Sequence, residues 1–226
     1  MTPKSVIVCF SGGLDSTVLL AVLLDEGFTP FPVSFAYGQT HIRELESARR
    51  VAGHYGLRHE VVDLSPLGKL LRSSLTGCGP IPDGHYAAPT MAQTVVPNRN
   101  AIMLSVCAGV AVAEGAGLIA CAAHAGDHHI YPDCRPTFFD SFETMVRLAT
   151  GVPLSILRPF VNMSKGDIVK AGGLVSAPFE LTWSCYRGQE SHCGVCGTCV
   201  ERREAFAQAG VPDPTEYATH EGSEEK

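Results

Sequence analysis

The sequence has no run of about 18 apolar residues, the length that a membrane-spanning helix needs. Its N-terminal stretch, MTPKSVIVCF, is too short and too poorly flanked to form a secretory signal peptide. Basic residues are not in excess, because 17 lysines and arginines face 23 acidic residues, for a formal net charge of −6. We therefore expect a soluble, cytoplasmic protein that neither enters a membrane nor offers a broad basic surface to nucleic acid.

The sequence also has no internal repeat, and its 226 residues, 45% of them hydrophobic, are enough for one α/β domain with a small appendage. Strand-like and helix-like segments alternate along it. The predicted strands are 5–10, 30–37, 58–64, 117–123 and 155–160, and the predicted helices are 14–26, 41–55, 100–114, 138–149 and a short one from the cap-like Ser164 to Gly172. This alternation predicts a parallel sheet of about five strands with helices on both faces.

Two segments do not fit this alternation. Residues 77–93, GCGPIPDGHYAAPTMAQ, are so rich in glycine and proline that we expect a mobile, irregular loop or lid. Beyond residue 212 the chain is acidic, and we expect it to be disordered. We divide the chain into an α/β domain at 1–180, a cysteine-rich segment with a C-terminal helix at 181–211, and the acidic tail at 212–226.

A glycine-rich turn follows the first predicted strand, with the sequence Ser11-Gly12-Gly13-Leu14-Asp15-Ser16. It matches neither the G-x-x-x-x-G-K-[ST] of a P-loop, nor the G-x-G-x-x-G of a dinucleotide fold, nor a G-x-S-x-G elbow. A turn between a parallel strand and its helix presents backbone N–H groups at the positive end of the helix dipole, and glycines let an anion approach them. We predict that this turn binds phosphate, with Ser11 and Ser16 as hydroxyl donors and Asp15 orienting the turn or reaching Mg²⁺.

A second site lies near the C-terminus, where four of the nine cysteines cluster at Cys185, Cys193, Cys196 and Cys199. Two C-x₂-C gaps with interleaved glycines predict a tetrahedral Cys₄ zinc site. An iron–sulfur cluster is the alternative, because it also takes four thiolates. With all four ligand positions filled by protein, the metal is expected to be structural, and catalysis is expected elsewhere.

The order of motifs resembles known enzymes. FSGGLDST at 10–17 resembles the pyrophosphate loop of the ATP pyrophosphatase (PP-loop) superfamily. The further motifs are YGQTH at 37–41, VPNRN at 96–100, YPDCRP at 131–136, the Ser-Lys helix start at 164–168 and the cysteine motif at 184–199. Together they resemble the 7-cyano-7-deazaguanine synthase (QueC) family nearly from end to end. The resemblance implies a Rossmann-like (adenine nucleotide alpha hydrolase-like) fold with a small C-terminal zinc-binding segment, and a homodimer.

The resemblance also implies a reaction. In this family 7-carboxy-7-deazaguanine and ammonia are converted into 7-cyano-7-deazaguanine through adenylated carboxylate and amide intermediates, with ATP, Mg²⁺ and Zn²⁺ as cofactors. The ATP-binding residues that it implies are Phe10, Ser11, Gly12, Gly13, Leu14, Asp15, Ser16, Thr17, Val18, Leu19 and Leu20. The catalytic residues that we assign are Ser11, Asp15, Ser16, Arg99 and Lys165.

Candidate substrate contacts lie in the VPNRN and YPDCRP motifs and between them. Arg99, beside Asn98, offers a guanidinium fork that suits either the substrate carboxylate or an ATP phosphate. Either Asp127 or Asp133 is expected to accept hydrogen bonds from the N–H edge of the deazaguanine ring. Arg135 completes this set of candidates.

The segment HAGDHHIYPDC allows two other interpretations. His124, Asp127, His128 and Cys134 offer ligands for a second metal, although a histidine here is better used as a base for ammonium. Cys134 offers a thiol for a covalent thioimidate, a minority hypothesis because adenylation already activates the substrate.

The sequence departs from the family at two positions, since Thr40 and Thr137 stand where arginine and glutamate are common. These missing charges leave room for a relative that transfers the activated deazaguanine to a protein or another amine. Two further hypotheses are a tRNA-thiolating or amidating PP-loop enzyme, which the acidic charge disfavours, and a zinc-stabilised binding module without catalysis, which leaves the phosphate turn unexplained.

Overall fold

The computed structural model describes residues 4–218. Within them, one parallel sheet contains β1 (Lys4–Cys9), β2 (Phe28–Ala36), β3 (Glu60–Asp63), β4 (Leu118–Ala120) and β5 (Ser155–Leu157). The strand order is β3-β2-β1-β4-β5. The chain therefore changes direction of winding between β1 and β4, and the carboxyl ends of the strands at such a switch point form a crevice for ligands.

Helices cover both faces of this sheet. They are α1 (Leu14–Asp25), α2 (Arg43–His54), α3 (Ser65–Gly68), α4 (Arg99–Ala113), α5 (Pro136–Thr150), α6 (Lys165–Leu174) and α7 (Gly197–Ala209). One buried apolar cluster joins α4 and α5 to the sheet, and a second joins α1, α2, α6 and α7 to its other face. The predicted Rossmann-like α/β class is therefore confirmed. No helix in the described part of the chain is long and apolar enough to span a bilayer.

Some element boundaries differ from the prediction. Strands β4 and β5 are shorter than predicted, because beyond Ala120 and Leu157 the chain leaves the sheet. Helix α6 does not stop at Gly172 but continues to Leu174. A Cβ at Gly172 would lie 2.7 Å from the Phe179 ring and from Val18. This glycine therefore allows close packing inside the helix rather than ending it.

The glycine- and proline-rich segment 77–93 contains more structure than we predicted. Pro89–Thr94 forms a 3₁₀ helix, and Tyr86 and Met91 are buried. The backbone N–H of Gly84 donates to the carbonyl of Val195 at 3.0 Å. The segment is therefore attached to the cysteine-rich region, and the prediction of a wholly irregular loop was wrong.

The first residues of the acidic tail also have defined contacts. Asp213 accepts a hydrogen bond from Arg202 Nε at 3.1 Å and another from the Tyr217 hydroxyl at 2.6 Å. Arg202 is completely buried and also donates to Thr182 Oγ1 at 2.7 Å. This part of the tail thus packs against α7, unlike the disordered tail that we predicted, whereas 219–226 lie outside the described residues.

Candidate active site

The glycine-rich turn connects β1 to α1 at the carboxyl edge of the sheet. Gly13 is the N-terminal cap of α1, and the Ser16 hydroxyl donates to its carbonyl at 3.2 Å. The Ser11 and Ser16 hydroxyls are 3.0 Å apart across the turn. The first N–H groups of a helix have no carbonyl partner within it and form the positive end of the helix dipole. At this turn they lie beside the two hydroxyls. This arrangement suits an anion.

Gly12 is the most constrained residue of the turn. Its φ of +81° lies in the left-handed region, and an added Cβ would be 2.4 Å from the backbone nitrogen of Ala48 and 2.5 Å from the carbonyl of Glu44. The Gly12 carbonyl accepts hydrogen bonds from Ser47 Oγ at 2.8 Å and from the Trp183 backbone N–H at 3.1 Å. The turn is therefore held against α2 and against the segment that leads into the cysteine cluster.

If the turn binds ATP, as its sequence predicts, Gly12→Ala should weaken that binding at least about tenfold, because the Cβ overlaps backbone atoms that cannot rotate away and the turn must shift. Gly27→Ala is the matched control, since Gly27 has a φ of +79° and open space around its Cβ position. The control is expected to lose about 1 kcal/mol of stability and to bind ATP normally. Isothermal titration of both variants with MgATP tests the difference. Equal ATP affinity in the two variants would contradict it.

A cavity of about 230 Å³ opens beside this turn. Its polar end is lined by Ser11, Gly13, Asp15, Ser16, His124, Asp127 and Lys165. Its apolar floor is lined by Cys9, Phe35, Met103, Leu104, Cys121 and Phe139. A pocket that combines an apolar floor with a few convergent polar groups is typical of a small-molecule site.

Two carboxylates and one ammonium group meet at the polar end. Lys165 Nζ lies 3.0 Å from Asp15 Oδ2 and 2.8 Å from a carboxylate oxygen of Glu201, which belongs to α7. Burial disfavours the charge on Lys165, but the carboxylates of Asp15 and Glu201 outweigh this effect and raise its pKa. Burial also opposes ionisation of Asp15, but Lys165 outweighs it and the pKa of Asp15 is lowered. Lysine and aspartate are therefore both charged at neutral pH.

Asp15 keeps one oxygen for a further ligand. Its Oδ1 atom is buried and has no hydrogen-bond partner among residues 4–218, whereas its Oδ2 atom faces Lys165. A buried carboxylate oxygen without a donor is unfavourable unless something else satisfies it. Mg²⁺ fits this position, because it takes one or two protein carboxylates together with phosphate oxygens and water.

His124 contacts the same cluster but is not arranged as a base. The Gly126 backbone N–H donates to its Nδ1 atom at 3.1 Å, so the proton of the neutral ring is on Nε2. That Nε2 atom lies 3.5 Å from Asp127 and 4.0 Å from both Asp15 and Glu201. Its proton therefore points toward carboxylates. The geometry disfavours our hypothesis that a histidine here accepts a proton from ammonium.

The guanidinium group of Arg99 also lines the cavity. Arg99 Nη1 donates to the Tyr37 hydroxyl at 3.2 Å. Burial opposes the charge on Arg99, but Tyr37, Tyr186 and Tyr131 outweigh it and raise the pKa. Within residues 4–218 no carboxylate lies within ion-pair distance of this guanidinium. A half-buried arginine that lines a cavity and has no carboxylate partner among the described residues is suited to bind an anionic ligand.

The Cys134 thiol lies close to Arg99 but is poorly suited to attack a substrate. It is buried, and burial raises its pKa, with a further contribution from Asp127. Asn100 Nδ2 is 3.1 Å from its sulfur. Since the thiolate is the reactive form, the structure gives the thioimidate hypothesis no support.

Several residues that we assigned from the sequence lie outside the cavity. Asn98 is exposed at the start of α4, and Arg135 donates from Nε to the carbonyl of His128 at 2.8 Å. Asp133 accepts from the Asn100 backbone N–H at 2.9 Å, as a cap of α4. The side chains of α1 that pack into the core instead of lining the cavity are Thr17, Val18, Leu19 and Leu20.

The two positions that depart from the family also lie outside the cavity. Thr40 and Thr137 are exposed and are absent from the cavity lining. The Thr40 backbone N–H donates to the carbonyl of Leu75 at 2.9 Å, and Thr137 lies in the first turn of α5. Neither threonine therefore contributes a group to the cavity lining of this chain.

The four predicted metal ligands come together. The sulfurs of Cys185, Cys193, Cys196 and Cys199 lie within 4.8 Å of one another, and all four residues are buried. A tetrahedral site with Zn–S bonds of about 2.3 Å separates its sulfurs by about 3.8 Å, which fits one metal ion. An iron–sulfur cubane binds each thiolate to a different iron and would hold the sulfurs farther apart. In the described part of the chain, His124, Asp127, His128 and Cys134 do not form such a group.

Sequence reasoning missed Glu201 and the tyrosines around Arg99. Tyr37 and Tyr131 stand in the YGQTH and YPDCRP motifs, which gave a signal that we did not use. Tyr86 lies in the segment that we predicted as a lid, and Glu201 follows the last cysteine by two residues. Nothing in the local pattern around Glu201 separates it from the solvent-exposed charges of the same helix.

Comparisons with known proteins agree with this geometry. A family model described as "Queuosine biosynthesis protein QueC" matches residues 5–210. Proteins named 7-cyano-7-deazaguanine synthase from Brucella anthropi and from Rhizobium rhizogenes are each 52% identical to this chain over 217 residues. The matches cover 95% of this chain and 93% and 92% of those proteins, respectively.

Two solved structures resemble the fold. NMN synthetase from Francisella tularensis has a TM-score of 0.52 at 13% identity, over 93% of this chain and 79% of that one. A predicted subunit of tRNA methyltransferase from Methanocaldococcus jannaschii has a TM-score of 0.50 at 18% identity, over 76% of both chains. At such low identity the likeness concerns the fold alone.

Proposed function

The chain belongs to the QueC family, and from this premise we propose that it converts 7-carboxy-7-deazaguanine and ammonia into 7-cyano-7-deazaguanine at the expense of ATP. One observation carries the proposal for this chain. A single cavity is lined by the glycine-rich turn, by Lys165 and by the guanidinium of Arg99, which has no carboxylate partner among residues 4–218. A nucleotide phosphate and a substrate carboxylate thereby meet in one site.

The glycine-rich turn binds the β- and γ-phosphates of ATP. Ser11 and Ser16 exchange their mutual hydrogen bond for phosphate oxygens, and the N-terminus of α1 stabilises the negative charge. Asp15 would hold Mg²⁺, since no described residue donates a hydrogen bond to its Oδ1 atom. When bound, this ion neutralises phosphate charge. Lys165, charged and directed into the cavity, binds pyrophosphate as negative charge develops on it.

The chemistry uses this site twice. The substrate carboxylate attacks the α-phosphorus, pyrophosphate leaves, and ammonia displaces AMP from the acyl adenylate to give the amide and release a proton. The amide oxygen then attacks a second ATP, pyrophosphate leaves again, and loss of the nitrogen protons together with AMP gives the nitrile. Both rounds place the reacting oxygen between Arg99 and the turn, so one set of side chains serves both.

Arg99 binds the substrate carboxylate. Of the two candidates Asp127 and Asp133, Asp127 accepts hydrogen bonds from the N–H edge of the deazaguanine ring. Asp127 lines the cavity and accepts from the Tyr86 hydroxyl at 3.0 Å, whereas Asp133 caps α4. The apolar floor formed by residues such as Phe35 and Leu104 suits the flat face of the ring.

We expect Arg99→Lys to lower kcat/KM for 7-carboxy-7-deazaguanine roughly 10–100-fold, because loss of a charge-assisted hydrogen bond costs about 1.5–3 kcal/mol. The KM for ATP should change less than about threefold, since the turn and Lys165 bind the phosphates. Arg58→Lys, which changes an exposed arginine paired with Glu114, is the control. Steady-state kinetics with each substrate varied in turn separates the two constants. If the KM for ATP rises more than about threefold in Arg99→Lys, Arg99 binds the ATP phosphates instead of the substrate carboxylate.

The four cysteines hold Zn²⁺, which cross-links the C-terminal segment and supplies no open coordination position. From the family resemblance, the enzyme is a cytoplasmic homodimer that uses free ammonia. Transfer of the activated deazaguanine to a protein or another amine remains the alternative reaction. Thr40 and Thr137 do not line the cavity, so neither threonine adds support for that alternative.

The test is mass spectrometry of the purified protein after incubation with 7-carboxy-7-deazaguanine, ATP, Mg²⁺ and ammonium. We expect the nitrile, with AMP and pyrophosphate as nucleotide products. AMP with no nitrile, or with the deazaguanine attached to an amine other than ammonia, would replace the proposal by the transfer reaction.

A further inference from the structure

We propose that Glu201, on the helix that follows the metal-binding cysteines, is a positioning residue for Lys165 and so makes the C-terminal segment part of the catalytic machinery. The inference rests on the proposed function, because Lys165 is taken to bind the phosphates of ATP. It changes the role of the cysteine-rich segment, which the sequence led us to regard as purely structural.

The contact between the two residues is direct and well sheltered. Glu201 Oε2 lies 2.8 Å from Lys165 Nζ, and the two side chains are only 12% and 14% exposed. An exposed lysine pair is weak and mobile, but a sheltered one with short contacts has a defined geometry. The pair therefore holds the ammonium group in one position relative to the turn.

Glu201 also divides the Lys165 charge between two carboxylates. The ammonium group is 3.0 Å from Asp15 Oδ2, at nearly the same distance as from Glu201. Without the Glu201 charge, Lys165 would pair with Asp15 alone and be drawn toward it. The ammonium group would then be misplaced for pyrophosphate, and Asp15 would be a poorer ligand for a cation.

The cysteine cluster determines where Glu201 lies. Helix α7 begins directly after Cys196 and contains Cys199, two residues before Glu201. The neighbouring Arg202 is completely buried and donates to Thr182 and to the carbonyl of Phe179. The start of α7 is thus fixed on both sides, and so is the Glu201 carboxylate that contacts Lys165.

Four variants test the proposal: Glu201→Gln, Lys165→Met, the double variant, and Glu204→Gln as a matched control. Glutamine keeps the size of the side chain and removes its charge. Glu204 lies on the same helix and pairs with the exposed His85 instead of Lys165. For each protein we would measure the kcat of AMP formation, the KM for ATP, the Kd of MgATP, the zinc content and the unfolding temperature.

We expect Glu201→Gln to lower kcat about 10–100-fold while the KM for ATP changes less than about threefold, since a misplaced Lys165 affects pyrophosphate departure more than ground-state binding. Zinc content and unfolding temperature should stay at the wild-type level, and Glu204→Gln should be fully active. In the Lys165→Met background, adding Glu201→Gln should lower kcat less than about threefold further, because the two residues act as one unit.

Three results would each overturn the proposal. They are a wild-type kcat in Glu201→Gln, loss of zinc in that variant, and an equally large effect of Glu201→Gln in the Lys165→Met background. Failure of the proposed function is distinguishable from this result. If the wild type converts ATP to AMP but makes no nitrile, the proposed product is wrong. The double variant still tests whether Glu201 and Lys165 are coupled in ATP turnover.

Discussion

Replacing Asp15 by asparagine is expected to lower the rate of AMP formation roughly 10²–10³-fold, the loss that follows when one group that stabilises transition-state charge is removed. Asparagine has the same size as aspartate, and its side-chain oxygen can still accept a hydrogen bond from Lys165, which pairs with Asp15 Oδ2 at 3.0 Å. The zinc content and the unfolding temperature should therefore remain close to those of the wild type.

Two physical effects add in this variant. The carboxylate that faces Lys165 at 3.0 Å is neutralised, and the oxygen suited to a divalent cation loses its charge. The chain offers a matched control in Asp25→Asn, at the exposed end of the same helix α1. Single-turnover release of AMP, followed for both variants at saturating MgATP, measures the effect. An Asp15→Asn enzyme with wild-type turnover would remove this residue from the site.

Cys196→Ser is expected to have the second large effect, namely the loss of bound zinc together with nearly all activity. Structural zinc contributes about 10–16 kcal/mol of apparent binding energy, which is as large as the whole net stability of a typical domain. Cys196 is completely buried, and its backbone caps the first turn of α7. Losing the metal should therefore release α7, and with it Glu201.

The loss should extend to the glycine-rich turn. The Trp183 N–H that donates to Gly12 lies two residues before Cys185, so the segment that supports the turn is held by the same metal site. Cys78→Ser, which changes an exposed cysteine outside the cluster, is the control and should keep full zinc and activity. Metal analysis and urea unfolding of both variants test this expectation. Full zinc occupancy with wild-type stability in Cys196→Ser would contradict a structural metal.

The parts of the site that could be predicted from sequence are those formed by neighbours along the chain. The phosphate turn consists of consecutive residues whose backbone geometry depends on local sterics, and so Ser11, Gly12 and Ser16 lie where the motif predicts. The four cysteines are also close in sequence, and their spacing matches one tetrahedral ion. Both predictions depended on short-range geometry, which a single sequence records well.

Other assignments needed the tertiary structure. The sequence left Asp127 and Asp133 as equal candidates, and only the packing of α4 makes Asp133 a helix cap. The hypothesis of a histidine base is disfavoured at His124, because its tautomer depends on the Gly126 N–H and its Nε2 atom lies near carboxylates from three different elements. Long-range contacts of this kind leave no periodic or spacing signal.

The sequence by itself determined the α/β class, the glycine-rich turn and the cysteine cluster, because hydrophobic periodicity, glycine sterics and ligand spacing act over a few residues. Only the tertiary structure decided that Lys165, Asp15 and Glu201 share one ion-pair cluster and that Arg99 faces the same cavity without a carboxylate partner. The cluster is built from α1, α6 and α7, which are far apart in the chain. Charge interactions between such elements depend on distances that arise only when the sheet and its helices are packed.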